Sequence, residues 1–292
     1  MKTTRIMKKA VPSTSSGTLH HSKVRGCLSL SKAPQSCFRL VLVSLVAFLI
    51  SSCQTEMKLA KQYVAERNIR AAVYFPEKAD VKVIYDAQLD KKTEVLNGLS
   101  QDLFLDVMYN AYAETMGKYG VEVYVPDDMD SIPVDSTHWL VMLTRLEIVG
   151  SIKEYEDYFF SDSDDYSFKH PLNLVNVASW FEINDSVWLP VLYCEHNLMD
   201  GFDSRTDFSF WTQNLNYTYT IDTLELADIY NFAVYLGKQY AGYTYNYMMN
   251  RYVGEEMKRK DLDYWNQDML RYDPFKKQLR YAEEDYGFVE IE

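Results

Sequence analysis

Cys194 and His196 stand two residues apart in the run Val187–Leu198. On an extended strand that spacing puts both side chains on one face, where an imidazole would activate a thiol as a nucleophile. Period two produces such neighbours by chance, and a buried free cysteine is a common small hydrophobe, so the pair reads as core. Carboxylates offer cation chemistry instead: Asp162, Asp164 and Asp165 fall within four residues, which reads first as a solvated loop and alternatively as a weak, irregular cation site. A calcium loop of the helix–loop–helix kind starting at Asp162 fails. It wants an acidic or amide group at its fifth position and glycine at its sixth, where Tyr166 and Ser167 stand. Asp127, Asp128 and Asp130 follow Pro126 and read as a solvated turn.

Only His138, His170 and His196 lie beyond residue 52, and their spacing is not that of a zinc site. The chain has no G-x-S-x-G elbow, no phosphate-binding glycine loop and no H-E-x-x-H. The expectation is a non-enzymatic protein with no catalytic residue, no metal centre and no cofactor.

Leu40–Ile50 is apolar apart from Ser44 and is followed by Ser51-Ser52-Cys53. As a helix it would rise about 16 Å at roughly 1.5 Å per residue, against a bilayer core of about 30 Å. That is too short to span and suits a signal h-region. Residues 1–39 are basic and hold no Asp or Glu. The whole stretch resembles the signal peptide of a bacterial lipoprotein, with Ile50-Ser51-Ser52-Cys53 as lipobox. A basic segment of 39 residues is long for this, which a start codon placed too far upstream would explain. The resemblance implies cleavage before Cys53, acylation of its thiol and a lipid tether. Gln54-Thr55 after it lack the aspartate of inner-membrane retention, which implies the outer membrane, with the face left open.

The organisation expected is a signal peptide over 1–52, a tether over 53–68, a domain over 69–253 and a charged tail over 254–292. Residues 1–52 carry eight Lys and Arg, so 22 basic and 42 acidic residues remain in the other 240, a net charge of −20. Such a domain has no electrostatic footprint for nucleic acid, and it needs bridging cations or an apolar contact to approach phospholipid head groups. Of Cys27, Cys37, Cys53 and Cys194 only the last is left as a free thiol, so no internal disulfide forms. The 24 Tyr, 14 Phe and 5 Trp give ample aromatic area for a core.

Strands are expected at Ile69–Phe75, Val81–Tyr85, Val121–Val125 and Trp139–Ile152, the last central, with Gly150 marking a bulge or bend. Leu172–Ile183 and Val187–Leu198 form a hairpin about Asn184-Asp185-Ser186, and Asn214–Ile221 alternates as another strand. Apolar residues at i, i+3 and i+4 predict a helix over Leu99–Tyr119, capped by Ser100. A second runs from a capping box at Asp222-Thr223-Leu224-Glu225 to about Val253. The class is α+β: a mostly antiparallel sheet with two long helices packed on one face, plus a charged C-terminal helical tail.

That order, with stretches such as VYVPDDMDSIP, WFEIND and GKQYAGYTYNYMMNRYV, resembles outer-membrane lipoproteins of the Bacteroidetes type. In element order it is similar to lipopolysaccharide-assembly lipoproteins and the auxiliary lipoproteins of lipid-transport systems. The resemblance implies a lipid-anchored accessory or scaffold in envelope assembly or transport, with protein partners in the envelope. Surface binding of sugars or peptides on Trp180, Trp188 or Trp211 is the alternative, unless those rings are buried against the helices, as expected for Trp180 and Trp188. It also implies O-glycans at Asp-Ser motifs, placing them at Ser131, Ser136 and Ser186; Asp222-Thr223 fits the pattern but is read as a helix cap.

Overall fold

The structure, a computed structural model, describes residues 55–65, 68–125, 137–160, 165–184, 190–209, 214–283 and 286–291. Three helices and a mixed sheet make an α+β fold. The central helix is α2 (Gln101–Lys118). Ser100 caps it, its Oγ accepting from the Leu103 backbone N–H at 3.3 Å. Phe104, Met108 and Tyr112, spaced by four, are fully buried. Gly120 ends the turn at φ +78°, a conformation that glycine takes without strain.

Helix α3 (Leu226–Arg259) runs alongside α2 in the same direction: Ser100 donates to the Tyr230 hydroxyl at one end, and Tyr119 stacks on Tyr245 at 4.5 Å at the other. Its start differs from the expected one. Asp222 belongs to a strand, and Glu225 is the N-cap, its N–H donating to Asp228 Oδ2 at 2.9 Å. The reason lies in Asp200, a buried carboxylate that accepts from the Leu224 N–H at 2.8 Å and from the Asn173 N–H at 2.7 Å. It holds the approach to the helix extended. Residues 55–65, read as tether, form helix α1, and its Leu59, Ala60 and Tyr63 lie in the core. Tyr63 meets Tyr245 at 5.8 Å and Tyr252 at 5.2 Å.

The main sheet has seven strands: β1 (Ile69–Tyr74), β2 (Asp80–Val83), β5 (Val121–Tyr124), β6 (His138–Phe160), β7 (Asp165–Asn184), β8 (Val191–Met199) and β13 (Val289–Ile291). Its order is β13-β8-β7-β6-β1-β5, with β2 following β1 along the same side of β6. Pairings of β1 with β5, and of β1 and β2 with β6, are parallel; those among β6, β7, β8 and β13 are antiparallel. Between β2 and α2, short strands β3 (Tyr85–Asp86) and β4 (Lys91–Lys92) pair with each other.

Strand β6 carries its bulge at Thr144, not at Gly150: the register shifts between Leu143 and Arg145. Buried residues fall at Trp139, Val141 and Leu143, then at Leu146 and Ile148. The extra residue absorbs that change of phase and keeps both sets on the helix side. Gly150 has another reason: a Cβ there would lie 2.8 Å from Thr93 Cγ2 and 2.9 Å from Leu96 Cδ1, so it lets the loop before α2 pass.

Beyond Ile152, where the strand was expected to end, β6 and β7 continue as a two-stranded arm. A second hairpin, β9 (Gly201–Ser209) with β10 (Asn214–Asp222), packs on it. The C-terminal segment is also corrected. Helix α3 passes through Gly254 to Arg259, and the chain then makes the hairpin β11 (Leu270–Asp273) with β12 (Gln278–Tyr281) before β13 joins the sheet edge. The tail is therefore strands beyond Lys260, not a helix. Two asparagines one turn apart on α3 set this: Asn250 exchanges hydrogen bonds with the Leu270 backbone, N–H and C=O alike, and Asn246 Oδ1 accepts from the Tyr272 N–H at 2.8 Å. They act as the missing neighbour of a strand.

Candidate binding surface

Side chains on β7 alternate between two environments. Val175, Val177, Ser179 and Phe181 face the helices and are buried; Ser179 Oγ sits 2.7 Å from the Tyr240 hydroxyl and Phe181 packs edge-on to that ring at 5.2 Å. Asn176, Ala178 and Trp180 therefore point to the opposite face. Cross-strand pairing sets them in rows. Arg145, Trp180 and Tyr193 make one, Asp80, Glu147, Ala178 and Glu195 the next, and Lys82, Val149, Asn176 and Asn197 a third.

Arg145 lies 4.7 Å over the Trp180 ring, and Trp180 and Tyr193 meet at 5.2 Å. Glu147 accepts from Arg145 at 3.3 Å and from Lys82 at 2.5 Å, and Lys82 also pairs with Asp80 at 2.8 Å. Across the strands, Tyr193 donates to Glu195 at 2.8 Å, and Asn176 donates to Glu195 and, at 2.8 Å, to Asn197. Partial burial, with the Glu195 carboxylate beside it, pushes the Tyr193 phenol up to about 12, so it stays a neutral donor. Thr144, Arg145, Lys82, Glu195 and Asn197 are exposed; Trp180 and Tyr193 are half-buried. The face presents two rings, both signs of charge and side-chain amides, groups that can stack and hydrogen-bond with a partner.

Trp180 is thus on the side away from the helices, contrary to the expectation that it is buried against them, because it shares β7 with Phe181 in opposite phase. The sequence signal for this face was present in the second phase of the hairpin, where Asn176, Ala178 and Trp180 pair with Asn197, Glu195 and Tyr193. The register needed to line up the rows was not.

Cys194 and His196 do share a face, the one under α3. Burial pushes the Cys194 thiol far up, and burial lowers the His196 imidazole to about 4. Both are neutral near pH 7, and His196 contacts Tyr235, Tyr240 and Tyr243. No thiolate–imidazolium pair forms. The buried tyrosines Tyr240, Tyr243 and Tyr245 of α3 are core as well.

A polar chain joins the two ribbons of the arm. Ser204 donates to Asp157 Oδ2 at 2.6 Å, Tyr217 donates to the same oxygen at 3.2 Å, and His170 Nε2 is 2.9 Å from the Tyr217 hydroxyl. The residue types resemble a proton relay, but Ser204 bonds the carboxylate directly and has no imidazole to take its proton. Phe168 stacks on Tyr217 at 4.1 Å, and Tyr219 and Phe202 flank His170. The group locks β9 and β10 onto β6 and β7.

Cys53, Ser131, Ser136, Ser186, Asp162, Asp164, Trp188 and Trp211 lie outside the described residues, as does the Asp165 side chain. Among the Asp-Ser and Asp-Thr motifs, Asp222-Thr223 is described, and Thr223 is exposed just before the true helix cap. Among the described residues no group of three His, Cys, Asp or Glu is arranged to hold a metal, and no helix is long and apolar enough to cross a membrane. A shallow open groove of about 590 Å³ lies between α1 and the β11–β12 hairpin, lined by Met57, Lys61, Val64, Tyr272, Lys277 and Leu279 among others.

No protein-family model matches the chain, and no curated protein does. Among solved structures, a neuraminyllactose-binding hemagglutinin homologue from Helicobacter pylori is similar at 11% identity and a TM-score of 0.35, covering 67% of this chain and 93% of that one. Likeness at that level carries no argument about fold or function.

Proposed function

We propose that this chain is a lipid-anchored outer-membrane lipoprotein that acts without chemistry of its own, as an accessory or scaffold in envelope assembly or transport. The observation that carries the scaffold reading is the face of Arg145, Trp180 and Tyr193. One side of the sheet is sealed by α2 and α3, while the other holds an aromatic pair inside a mixed-charge rim. Aromatic and arginine side chains are those that dominate protein interfaces. The anchor reading rests on Leu40–Cys53.

The test is a membrane fractionation of wild type beside Cys53→Ala, with a photo-crosslinker placed at Tyr193. Acylated Cys53, outer-membrane wild type, a displaced variant and one reproducible cross-linked protein are the expected results. A protein that stays monomeric and uncross-linked in its native membrane would remove the scaffold reading.

A second reading is favoured by the position of Trp180: a surface binder of sugars or peptides, stacked on that ring. It requires Arg145 to swing away. Quenching of Trp180 emission by a soluble saccharide or peptide, absent in Trp180→Phe, would favour it over the scaffold.

A further inference from the structure

The end of the domain nearest residue 53 exposes apolar side chains that its interior does not use. After α3 the chain turns at Asp261 (φ +56°), closed by Leu262 N–H donating to Met257 O at 3.0 Å. The following loop leaves Trp265 81% exposed, Met269 54% and Leu262 38%. Trp265 is held on Tyr264 at 4.7 Å, and Lys258 lies over Tyr264. The ring is therefore displayed by a braced loop.

This loop is tied to the start of α1. The buried Glu56 carboxylate lies beside Asp268, whose backbone and charge act on it. Cys53 precedes Glu56 by three residues and Trp265 precedes Asp268 by three. Three residues of chain reach about 11 Å at most, so both residues stay close to that one contact. An acyl group on Cys53 would bring Trp265 to the head-group layer. The loop itself carries Asp263 and Asp268 and no Lys or Arg, so the approach rests on apolar contact, with Lys258, Arg259 and Lys260 just before it.

We propose that the loop Leu262–Met269 is a membrane-contact site, with Trp265 inserted into the lipid interface beside the anchor. Tryptophan suits that layer, since its ring is apolar and its N–H stays with water. The contact fixes how the domain stands on the bilayer, which one flexible tether would not do. It is driven by apolar burial, so it persists in salt. This inference rests on the lipid-anchor reading of Cys53.

The experiment uses the full protein, purified in detergent and reconstituted in phosphatidylcholine vesicles with and without brominated acyl chains. Mass spectrometry of the N-terminal peptide reads the anchor, and quenching of Trp265, taken as the difference between wild type and Trp265→Phe, reads the contact. Expected are an acylated Cys53, a Trp265 component that is blue-shifted and quenched by brominated lipid, and little change of that quenching at high salt. Accessibility of Trp265 to aqueous iodide in an acylated protein would overturn the contact and leave the anchor standing. A protein without acyl chains on Cys53 would overturn the anchor and the contact with it. Circular dichroism of Trp265→Phe guards against misfolding; a side chain this exposed is not expected to alter the fold.

Discussion

Gly237 of α3 faces the backbone carbonyl of Met108 on α2 so closely that a Cβ on it would lie 2.2 Å from that oxygen. The two helices touch there without a side chain between them, and the Tyr112 N and Ala111 Cβ are 3.0 and 3.1 Å from the same point. Gly237→Ala must push the helices apart. The expected cost is about 1–3 kcal/mol, as for other overpacked sites, measured as a lower urea midpoint. An unchanged midpoint would show that the helices do not meet there.

His196 gives the protein a sensitivity to acid. Its folded value is about 4, lowered by burial, against about 6.5 for an ordinary imidazole. The unfolded chain therefore binds the proton first. Stability from this group is complete above about pH 6.5 and is lost as pH falls toward 4, to a total of about 3 kcal/mol. Urea unfolding at pH 7 and pH 4.5 should show a smaller difference for His196→Asn than for wild type; equal differences would contradict the assignment.

Cys194 should be inert. Burial holds its thiol far above the usual range, so the thiolate that reacts is not populated. Alkylation by iodoacetamide at pH 8 is expected only after denaturant is added. Rapid labelling of native protein would mean that the strand under α3 opens.

Asn250 fastens the β11–β12 hairpin to α3 through both polar atoms of the Leu270 backbone. Asn250→Leu removes those bonds and leaves that buried N–H and C=O without the partner, at about 1–3 kcal/mol. Hydrogen exchange at 270–281 should quicken while the amides of β6 and β7 stay protected. Uniform loss of protection would mean that the hairpin does not open by itself.

On the open face, Trp180→Ala should leave stability within about 1 kcal/mol, since the ring is half-buried and lies in the phase of β7 opposite to Phe181, which packs on α3. Cross-linking through Tyr193 should fall by an order of magnitude, the usual effect of truncating an aromatic anchor at an interface. Undiminished cross-linking would move the contact elsewhere on the protein.

How much of this was legible depended on what encodes each part. The hairpin of β7 and β8 was plain, because the runs Leu172–Ile183 and Val187–Leu198 on either side of Asn184-Asp185-Ser186 are a local signal. So was α2, where Ser100 and the four-residue spacing of Phe104, Met108 and Tyr112 agree. The arm was not: Glu154 and Glu156 look like a loop because a two-stranded ribbon outside the core carries charge on its exposed side, and Asp157, in the other phase, finds its partners Ser204 and Tyr217 only in the β9–β10 hairpin. Nor was the β11–β12 hairpin, which depends on Asn246 and Asn250 some twenty residues upstream. The cap at Glu225 was hidden by Asp200, whose role appears only when β8 and the start of α3 meet. The binding face needed the register of four strands, which no single segment contains.

Strand β13 covers Val191–Tyr193 at the outer edge of β8 with residues 289–291. Nearly a hundred positions separate the partners, and all of α3 lies between them in sequence. While the chain folds, β8 has a bare edge until that late segment arrives. Such an edge accepts any extended peptide that reaches it first, and contacts of long sequence separation form slowly. Any interval before β13 docks is thus one in which that edge is open to mispairing.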